Sequence, residues 1–419
     1  MSRTSVAALL VLSVAGLVHA QPRVADLGGG IYMAGLEGLS GNDIRIPQSN
    51  TFMVATTDGV VIIDTSLTAA PAHKKALTAI SSAPVRAIIL THAHGDHTGG
   101  IALWKQPATQ VIAHRLYPEF IEYTDRLGGY FARMNAAQFG GGLALGAPAG
   151  RGAAARVTSP LPEVLLDRTH TLDVGTTRFE ILHTPGETPD HLTVWIPSLK
   201  AAFIGDNYYE SFPNLYTLRG TRPRWALDYV ASLNRVLALE PELVLPSHGA
   251  VIRGRDEIRR RLTRYRDAIQ YVHDATVKGM NEGKDVDTLM KEITLPPDLD
   301  VGESYGRVSW SVRGIYDGYV GWYDGNVSTM FGTPGQAYPA VVALAGGPDA
   351  VAARAAALAA TEPTTALYLT DMALAADPRH RGALQARVRA LQMLLESSKN
   401  SNERGWLAAG LRAAEQKLK

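Results

Sequence analysis

At 419 residues the chain is too long for one ordinary domain and divides into two or three. Its 41 basic and 40 acidic residues leave a formal net charge of +1, which excludes the basic face that a nucleic-acid partner requires. There is no cysteine, so disulfides and thiolate ligands are excluded, and any metal must be held by His, Asp or Glu.

The N-terminus predicts an export signal. Arg3 supplies the positive start, Val6 to Val18 is an apolar run too short to span a bilayer, and Val18-His19-Ala20 offers a small-residue cleavage site. The expected product is cut after Ala20 and is periplasmic or secreted. No later stretch is long and apolar enough to cross a membrane.

From Gly30 to about Arg255 strands and helices alternate. Asn50–Ala55 and Gly59–Asp64 form a hairpin around Thr57-Asp58-Gly59, and a helix follows through Ala72 to Ile80. Val85–Leu90, bounded by Pro84, is a buried strand, and Gln110–His114 is another. Residues 140–157, rich in Gly and Ala, read as a mobile loop. Strands recur at Arg178–Leu182, Thr193–Ile196, Ala201–Ile204 and Leu243–Leu245. Beyond Asp256 the pattern turns helical, over Asp256–His273, Val286–Ile293 and Tyr305–Tyr323. The last carries Tyr305, Trp310, Tyr316, Tyr319, Trp322 and Tyr323, a surface suited to core or to a subunit interface. From Gly347 on, Ala-rich helices broken at Pro363 and Asp377-Pro378 are similar to tetratricopeptide hairpins.

The chemistry concentrates at Thr91-His92-Ala93-His94-Gly95-Asp96-His97, where the Val85–Leu90 strand ends. Three imidazoles and a carboxylate in six residues are costly to pack together without a cation. His92 and His94, two apart, can share one metal, while Asp96 and His97 turn away over Gly95 toward a second. Imidazole and carboxylate are the donors of open, catalytic zinc sites. Two metals need more ligands, and Glu187, Asp206 and His248, each following a strand, are the candidates; His191 or His183 could stand in for Glu187. The remaining histidines His73, His114, His170, His273 and His380 read as structural or surface.

The segment Thr91–Gly100 resembles the metal-binding loop of the metallo-β-lactamase fold superfamily. That resemblance implies an α/β fold, an αββα sandwich with metals at one edge of its two sheets. Pro185-Gly186-Glu187-Thr188-Pro189, Gly205-Asp206-Asn207, Asn214–Gly220 and the stretch Tyr305–Asn326 together resemble the alkyl sulfatases within it. The resemblance implies two zinc ions per chain, one on His92, His94 and Glu187, the other on Asp96, His97 and His248, with Asp206 between them. It names Asp96, Asn214 and Arg219 as catalytic, and Asn214 and Arg219 as holding the sulfate, with Arg224 a second contact. It implies a homodimer acting on a small sulfate ester through a metal-activated water. The expected units are a signal peptide at 1–20, a catalytic domain at 21–255, a helical dimerisation domain at 256–335 and helical hairpins at 336–419. Asp206 stands where the family usually carries glutamate, and Arg133–Gly140 lacks a tyrosine the family places there. A β-lactam, lactone or other ester is the alternative substrate, and a non-catalytic helical partner-binding array is the alternative class.

Overall fold

The computed structural model describes residues 23–35, 49–140 and 161–419. The export signal and nearly all of the Gly/Ala stretch at 140–157 lie outside the described residues. One sheet has seven strands in sequential order: β1 (Arg23–Gly28), β2 (Ile31–Gly35), β3 (Thr51–Thr56), β4 (Gly59–Ile63), β5 (Val85–Ile89), β6 (Gln110–His114) and β7 (Val164–Leu166). The other runs β13-β12-β11-β10-β9-β8, from β8 (Thr169–Val174), β9 (Thr177–His183), β10 (Leu192–Ile196), β11 (Ala201–Gly205), β12 (Leu243–Pro246) and β13 (Ile252–Arg253). The first sheet is parallel from β4 through β7, and the second is parallel between β11 and β12.

The central strands β4, β10 and β11 are buried along their whole length, the pattern of strands covered on both faces. Between the sheets, Phe52, Val54, Ile63 and Ile89 meet Phe179, Val194 and Phe203, with the Phe52 and Phe203 rings edge-on at 5.2 Å. Each such fully buried side chain stabilises the fold by roughly 1.5–3 kcal/mol. The outer face of the first sheet packs on α1 (Ala70–Thr78), the short α2 (Gly95–Thr98) and α3 (Ile101–Trp104), and α4 (Tyr117–Arg126) through Leu77, Trp104 and Tyr117. Next to α4 lies α5 (Gly128–Phe139). The outer face of the second sheet packs on α6 (Ala226–Ala238) and α7 (Arg255–Asn281) through Tyr229, Leu233, Leu262 and Tyr265. This is the expected αββα order.

Helix α7 buries Ile258, Leu262, Tyr265, Ile269, Val272 and Thr276, a stripe at three- and four-residue steps. Asp256 and Glu257 in its first turn and Lys278 in its last suit the helix dipole. It continues past the predicted end at His273 because that stripe continues. Then come α8 (Val286–Glu292) and α9 (Val308–Val320). Helix α9 is shorter than the predicted Tyr305–Tyr323: Arg307 is extended, and Gly321 ends the helix at φ 77°. The chain closes with α10 (Tyr338–Leu344), α11 (Pro348–Leu358), α12 (Pro363–Ala376), α13 (Arg381–Ser397) and α14 (Ser401–Leu418). Buried alanines such as Ala352, Ala355, Ala366, Ala373, Ala383 and Ala390 let these helices lie close. Helix α14 folds back onto α5: a Cβ on Gly405 would stand 1.7 Å from the Gln138 carbonyl oxygen, so only glycine fits there.

Candidate metal centre

Every expected ligand leaves the same edge of the sandwich. His92, His94, Asp96 and His97 follow β5, Glu187 sits in the β9–β10 loop, Asp206 follows β11 and His248 follows β12. The two sheets are tied together at this edge. Leu192 N donates to Thr91 O at 2.7 Å, Asn50 N donates to Ser247 O at 2.7 Å, and Asn50 Nδ2 donates to Pro246 O at 3.1 Å.

The seven side chains converge. Asp206 Oδ2 lies 3.8 Å from His92 Nε2, 3.3 Å from His97 Nε2 and 3.4 Å from His248 Nε2. Asp96 Oδ2 lies 3.5 Å from His97 Nε2 and 3.3 Å from His248 Nε2. His94 Nδ1 is 2.8 Å from His92 Nε2 and 3.8 Å from Glu187 Oε1. Three overlapping ligand groups result: His92, His97 and Asp206; Asp96, His97 and His248; and His94, Glu187 and Asp206. Asp206 belongs to two of them, the arrangement of a shared carboxylate.

Two observations test whether the donors suit a metal. His97 Nε2 and Asp206 Oδ1 are buried without a hydrogen-bond partner among the described residues, a costly state that a cation between them would relieve. The imidazole protons are also directed away from the centre. His97 Nδ1 donates to Asp64 Oδ2 at 2.7 Å. Thr91 Oγ1 donates to the same Asp64 oxygen at 2.8 Å and therefore accepts from His92 Nδ1 at 3.1 Å. Both Nε2 atoms are left with lone pairs facing inward. The residues fit a metal pair.

Electrostatics agree. Burial holds His92 and His94 well below the usual imidazole range, helped by His97 for the first and by Arg219 and Arg224 for the second. Burial also opposes charge on His97 and His248, but Asp206 and Asp96 outweigh it, raising His97 well above its usual range and His248 to about 10. The centre thus attracts positive charge. Burial pushes Glu187 up to about 7, against the pull of Arg224.

Some contributors have weak signals in the sequence. Asp64, at the end of β4, is fully buried with φ 54°, a strained backbone held because its carboxylate takes His97, Thr91 and Ser247 Oγ, the last at 2.8 Å. A charged residue closing an apolar strand was its only trace. Tyr209 Oη donates to Asp206 Oδ2 at 2.6 Å, and Tyr229 Oη from α6 donates to Glu187 Oε2 at 3.1 Å. His191 is not free to bind metal, because its Nε2 accepts from the Asp206 backbone N at 3.1 Å. Gly205 makes room for that ring; a Cβ there would meet His191 Nε2 at 2.3 Å. His183 stacks on His114 at 3.8 Å and bonds Pro189 O at 2.7 Å. His73 meets Thr51, His273 meets Tyr319 and His380 meets Asp349, as structural residues do.

A cavity of about 250 Å³ opens beside the centre. Its lining combines the polar His94, Asp96, Glu187, Asp206, Arg219 and Tyr305 with the apolar Leu67, Phe120, Ile121, Phe131 and Phe139. Tyr305, expected in an aromatic interface, stands instead in this wall, its ring 4.8 Å from that of Tyr209. The turn that bears it is pinned by Phe212 N to Gly302 O at 2.7 Å and Gly306 N to Phe212 O at 3.0 Å. Arg219 has no carboxylate within ion-pairing distance among the described residues; burial and the nearby Arg224 both lower its pKa. Asn214, also expected to hold the sulfate, is buried and is not among the residues lining this cavity; its Oδ1 accepts from Asn402 Nδ2 at 3.5 Å and its carbonyl from Arg224 Nη1 at 2.9 Å. Arg224, expected as a second substrate contact, has its guanidinium buried against Glu187 Oε2 at 2.5 Å, where it holds that carboxylate in place.

Comparison with known proteins agrees with this geometry. The family model described as the metallo-beta-lactamase superfamily matches residues 44–248, and that described as alkyl sulfatase dimerisation matches residues 285–417. A linear primary-alkylsulfatase from Pseudomonas sp. is 29% identical over 87% of this chain and 74% of its own length. An alkyl/aryl-sulfatase of Saccharomyces cerevisiae is 27% identical over 73% of this chain and 52% of its own. An (R)-specific secondary-alkylsulfatase from Pseudomonas sp. is 26% identical over 95% of this chain and 62% of its own. Apart from the first, this chain therefore spans only about half to two thirds of the length of these relatives. The structure of a stereoselective inverting sec-alkylsulfatase from Pseudomonas sp. superposes with a TM-score of 0.81 over 94% of this chain and 66% of that one, at 23% identity, a likeness of fold. With a catalytic sandwich, a converged His/carboxylate centre and the second family's helical region in one chain, the protein belongs to the alkyl sulfatases of the metallo-β-lactamase fold superfamily.

Proposed function

We propose that the protein hydrolyses alkyl sulfate esters to alcohol and sulfate, using two zinc ions held by His92, His94, Asp96, His97, Glu187, Asp206 and His248. The observation that carries this reading is Arg219. Among the described residues it has no carboxylate within ion-pairing distance, and it lines the same 250 Å³ cavity as four of the ligands and the apolar Phe120, Ile121, Phe131 and Phe139. A fixed positive fork faces an anionic group, and the wall of Phe120, Ile121, Phe131 and Phe139 faces hydrocarbon. An alkyl sulfate is both. The names of the relatives point to the same substrate class.

Divalent cations bound there would supply a water acidic enough to give up its proton near neutral pH and would offset the charge that develops as the ester breaks. The chain's own residues do the rest. Asp64 and Thr91 fix the imidazole tautomers, Arg224 and Tyr229 hold Glu187 by one oxygen and turn the other toward His94, and Tyr209 holds Asp206. Arg219 keeps the sulfate in place while water adds its oxygen and one C–O or S–O bond breaks, giving the alcohol, sulfate and a proton. On the export signal expected from Arg3, the apolar run Val6 to Val18 and Val18-His19-Ala20, we assign this reaction to the periplasm or the outside of the cell.

The test is parallel hydrolysis of dodecyl sulfate and a cephalosporin by zinc-loaded and chelated protein. Turnover of the sulfate alone, lost on chelation, is expected. Cephalosporin hydrolysis without sulfate release would replace this reading with a β-lactamase.

We further propose a homodimer through the helical region. Trp322, Phe331 and Leu344 are 73%, 77% and 90% exposed, and Tyr319 and Tyr323 lie beside them in sequence. Sedimentation at micromolar concentration should give the mass of two chains. Introducing charge with Trp322→Glu and Phe331→Glu should weaken the dimer by roughly 30-fold or more, the loss typical of a buried aromatic anchor. A monomeric wild-type protein would refute the assignment.

A further inference from the structure

The last helix reaches the substrate cavity through buried amides. Gln138 on α5 is 2% exposed. Its Oε1 accepts from Arg219 N at 3.0 Å and from Trp406 Nε1 at 3.2 Å. Its Nε2 donates to Asn402 Oδ1 at 3.0 Å and to Thr217 Oγ1 at 3.2 Å. Asn402, also 2% exposed, donates from Nδ2 to Tyr305 O at 3.0 Å. Two side chains thus join the backbone of Arg219 to the backbone of Tyr305, two residues that line the same cavity.

The direction of this relay is determined by its ends. A backbone N–H and an indole N–H can only donate, so Gln138 must present oxygen to them and nitrogen to Asn402. A carbonyl can only accept, so Asn402 must present nitrogen to Tyr305. Neither amide can flip without leaving buried groups unpaired, which is costly. Asn400 reinforces the far end. Its Oδ1 accepts from Glu403 N and starts α14, while its Nδ2 donates to the carbonyls of Glu303, Tyr305 and Gly306 at 2.8, 3.0 and 3.2 Å. Gly405 lets α14 sit directly on the Gln138 carbonyl, so the helix cannot shift without moving this residue.

We infer that Gln138 and Asn402 are positioning residues for anion recognition, and that α14 acts as a rear wall of the active site beyond any part it has in assembly. They set the spacing between Arg219 and Tyr305 without touching metal or substrate. The sulfate-ester reading is needed only for the turnover readout.

The experiment uses full-length, zinc-loaded protein with Gln138→Ala and Asn402→Ala, and Trp406→Phe as a milder change that keeps the ring. Kinetics on dodecyl sulfate and on an uncharged p-nitrophenyl ester are compared with the affinity for inorganic sulfate by calorimetry and with zinc content. For the two alanine variants, KM for dodecyl sulfate and Kd for sulfate should rise roughly 10- to 100-fold, as expected for buried hydrogen-bond partners left unpaired. The change in kcat should stay below about threefold, and zinc content and the uncharged ester should be unaffected. Trp406→Phe, losing one of the bonds to Gln138, should show the same pattern at about two- to fivefold. Loss of zinc, an equal fall on both substrates, or unchanged sulfate affinity would overturn the inference. A wild type that binds sulfate but leaves dodecyl sulfate intact would defeat the proposed function alone, and calorimetry on the variants would still decide this one. A wild type that does neither defeats both.

Discussion

Asp206→Asn is expected to lower the zinc content from two per chain to one or fewer, and to reduce alkyl sulfate turnover by about a thousand-fold or more. The reason is the place of Asp206 among the ligands. One of its oxygens lies within 3.8 Å of His92, His97 and His248, and the other is buried without a partner among the described residues. Two dications about 4 Å apart repel with four times the roughly 4 kcal/mol of a unit pair at that distance in a protein-like dielectric. A carboxylate between them offsets much of that repulsion, and a neutral amide of the same size does not. Losing one metal removes Lewis-acid stabilisation of several kcal/mol, which at 1.36 kcal/mol per decade gives the expected fall. Metal analysis on the folded variant checks the claim independently of activity. Two tightly held ions in Asp206→Asn would show that the carboxylate is not shared.

The proposed ligands were legible because each follows a strand, and metal chemistry demands particular side chains there. His92 to His97 sit in one run, and Glu187, Asp206 and His248 each end an apolar segment. Periodicity likewise revealed the helical stripe of α7 and the fully buried strands of both sheets. Residues that act through others left little trace. Tyr229 reaches Glu187 from the middle of α6, and Gln138 reaches Arg219 across 81 positions of sequence. Nothing local distinguishes a glutamine that bridges two elements from one that faces water. Arg224 is hard to tell from Arg219 for a related reason: two arginines five apart look alike until one is seen buried on a carboxylate. Tyr305 was grouped with its aromatic neighbours, although Gly302 and Gly306 on either side form a turn that separates it from α9.

Arg219→Ala is expected to cut kcat/KM on an alkyl sulfate by roughly 30-fold to several thousand-fold, while leaving zinc content unchanged. Removing one partner of a desolvated charge pair costs about 2–5 kcal/mol, which sets that range. Arg219 stands in the cavity wall beside His94, Asp96, Glu187 and Asp206, yet no carboxylate neutralises it among the described residues. The contrast with Arg224 is instructive. Both guanidiniums lie near Glu187, but Arg224 is buried against it at 2.5 Å and belongs to the metal site, whereas Arg219 remains available. The two substitutions should therefore separate: Arg224→Met should weaken zinc binding by releasing Glu187, and Arg219→Ala should not. An uncharged ester makes the distinction sharper, since it offers Arg219 nothing to hold and should be turned over by Arg219→Ala at close to the wild-type rate. Equal losses on charged and uncharged esters would make Arg219 a structural residue. An unchanged rate on alkyl sulfates would remove the physical basis for assigning this cavity to a sulfate ester.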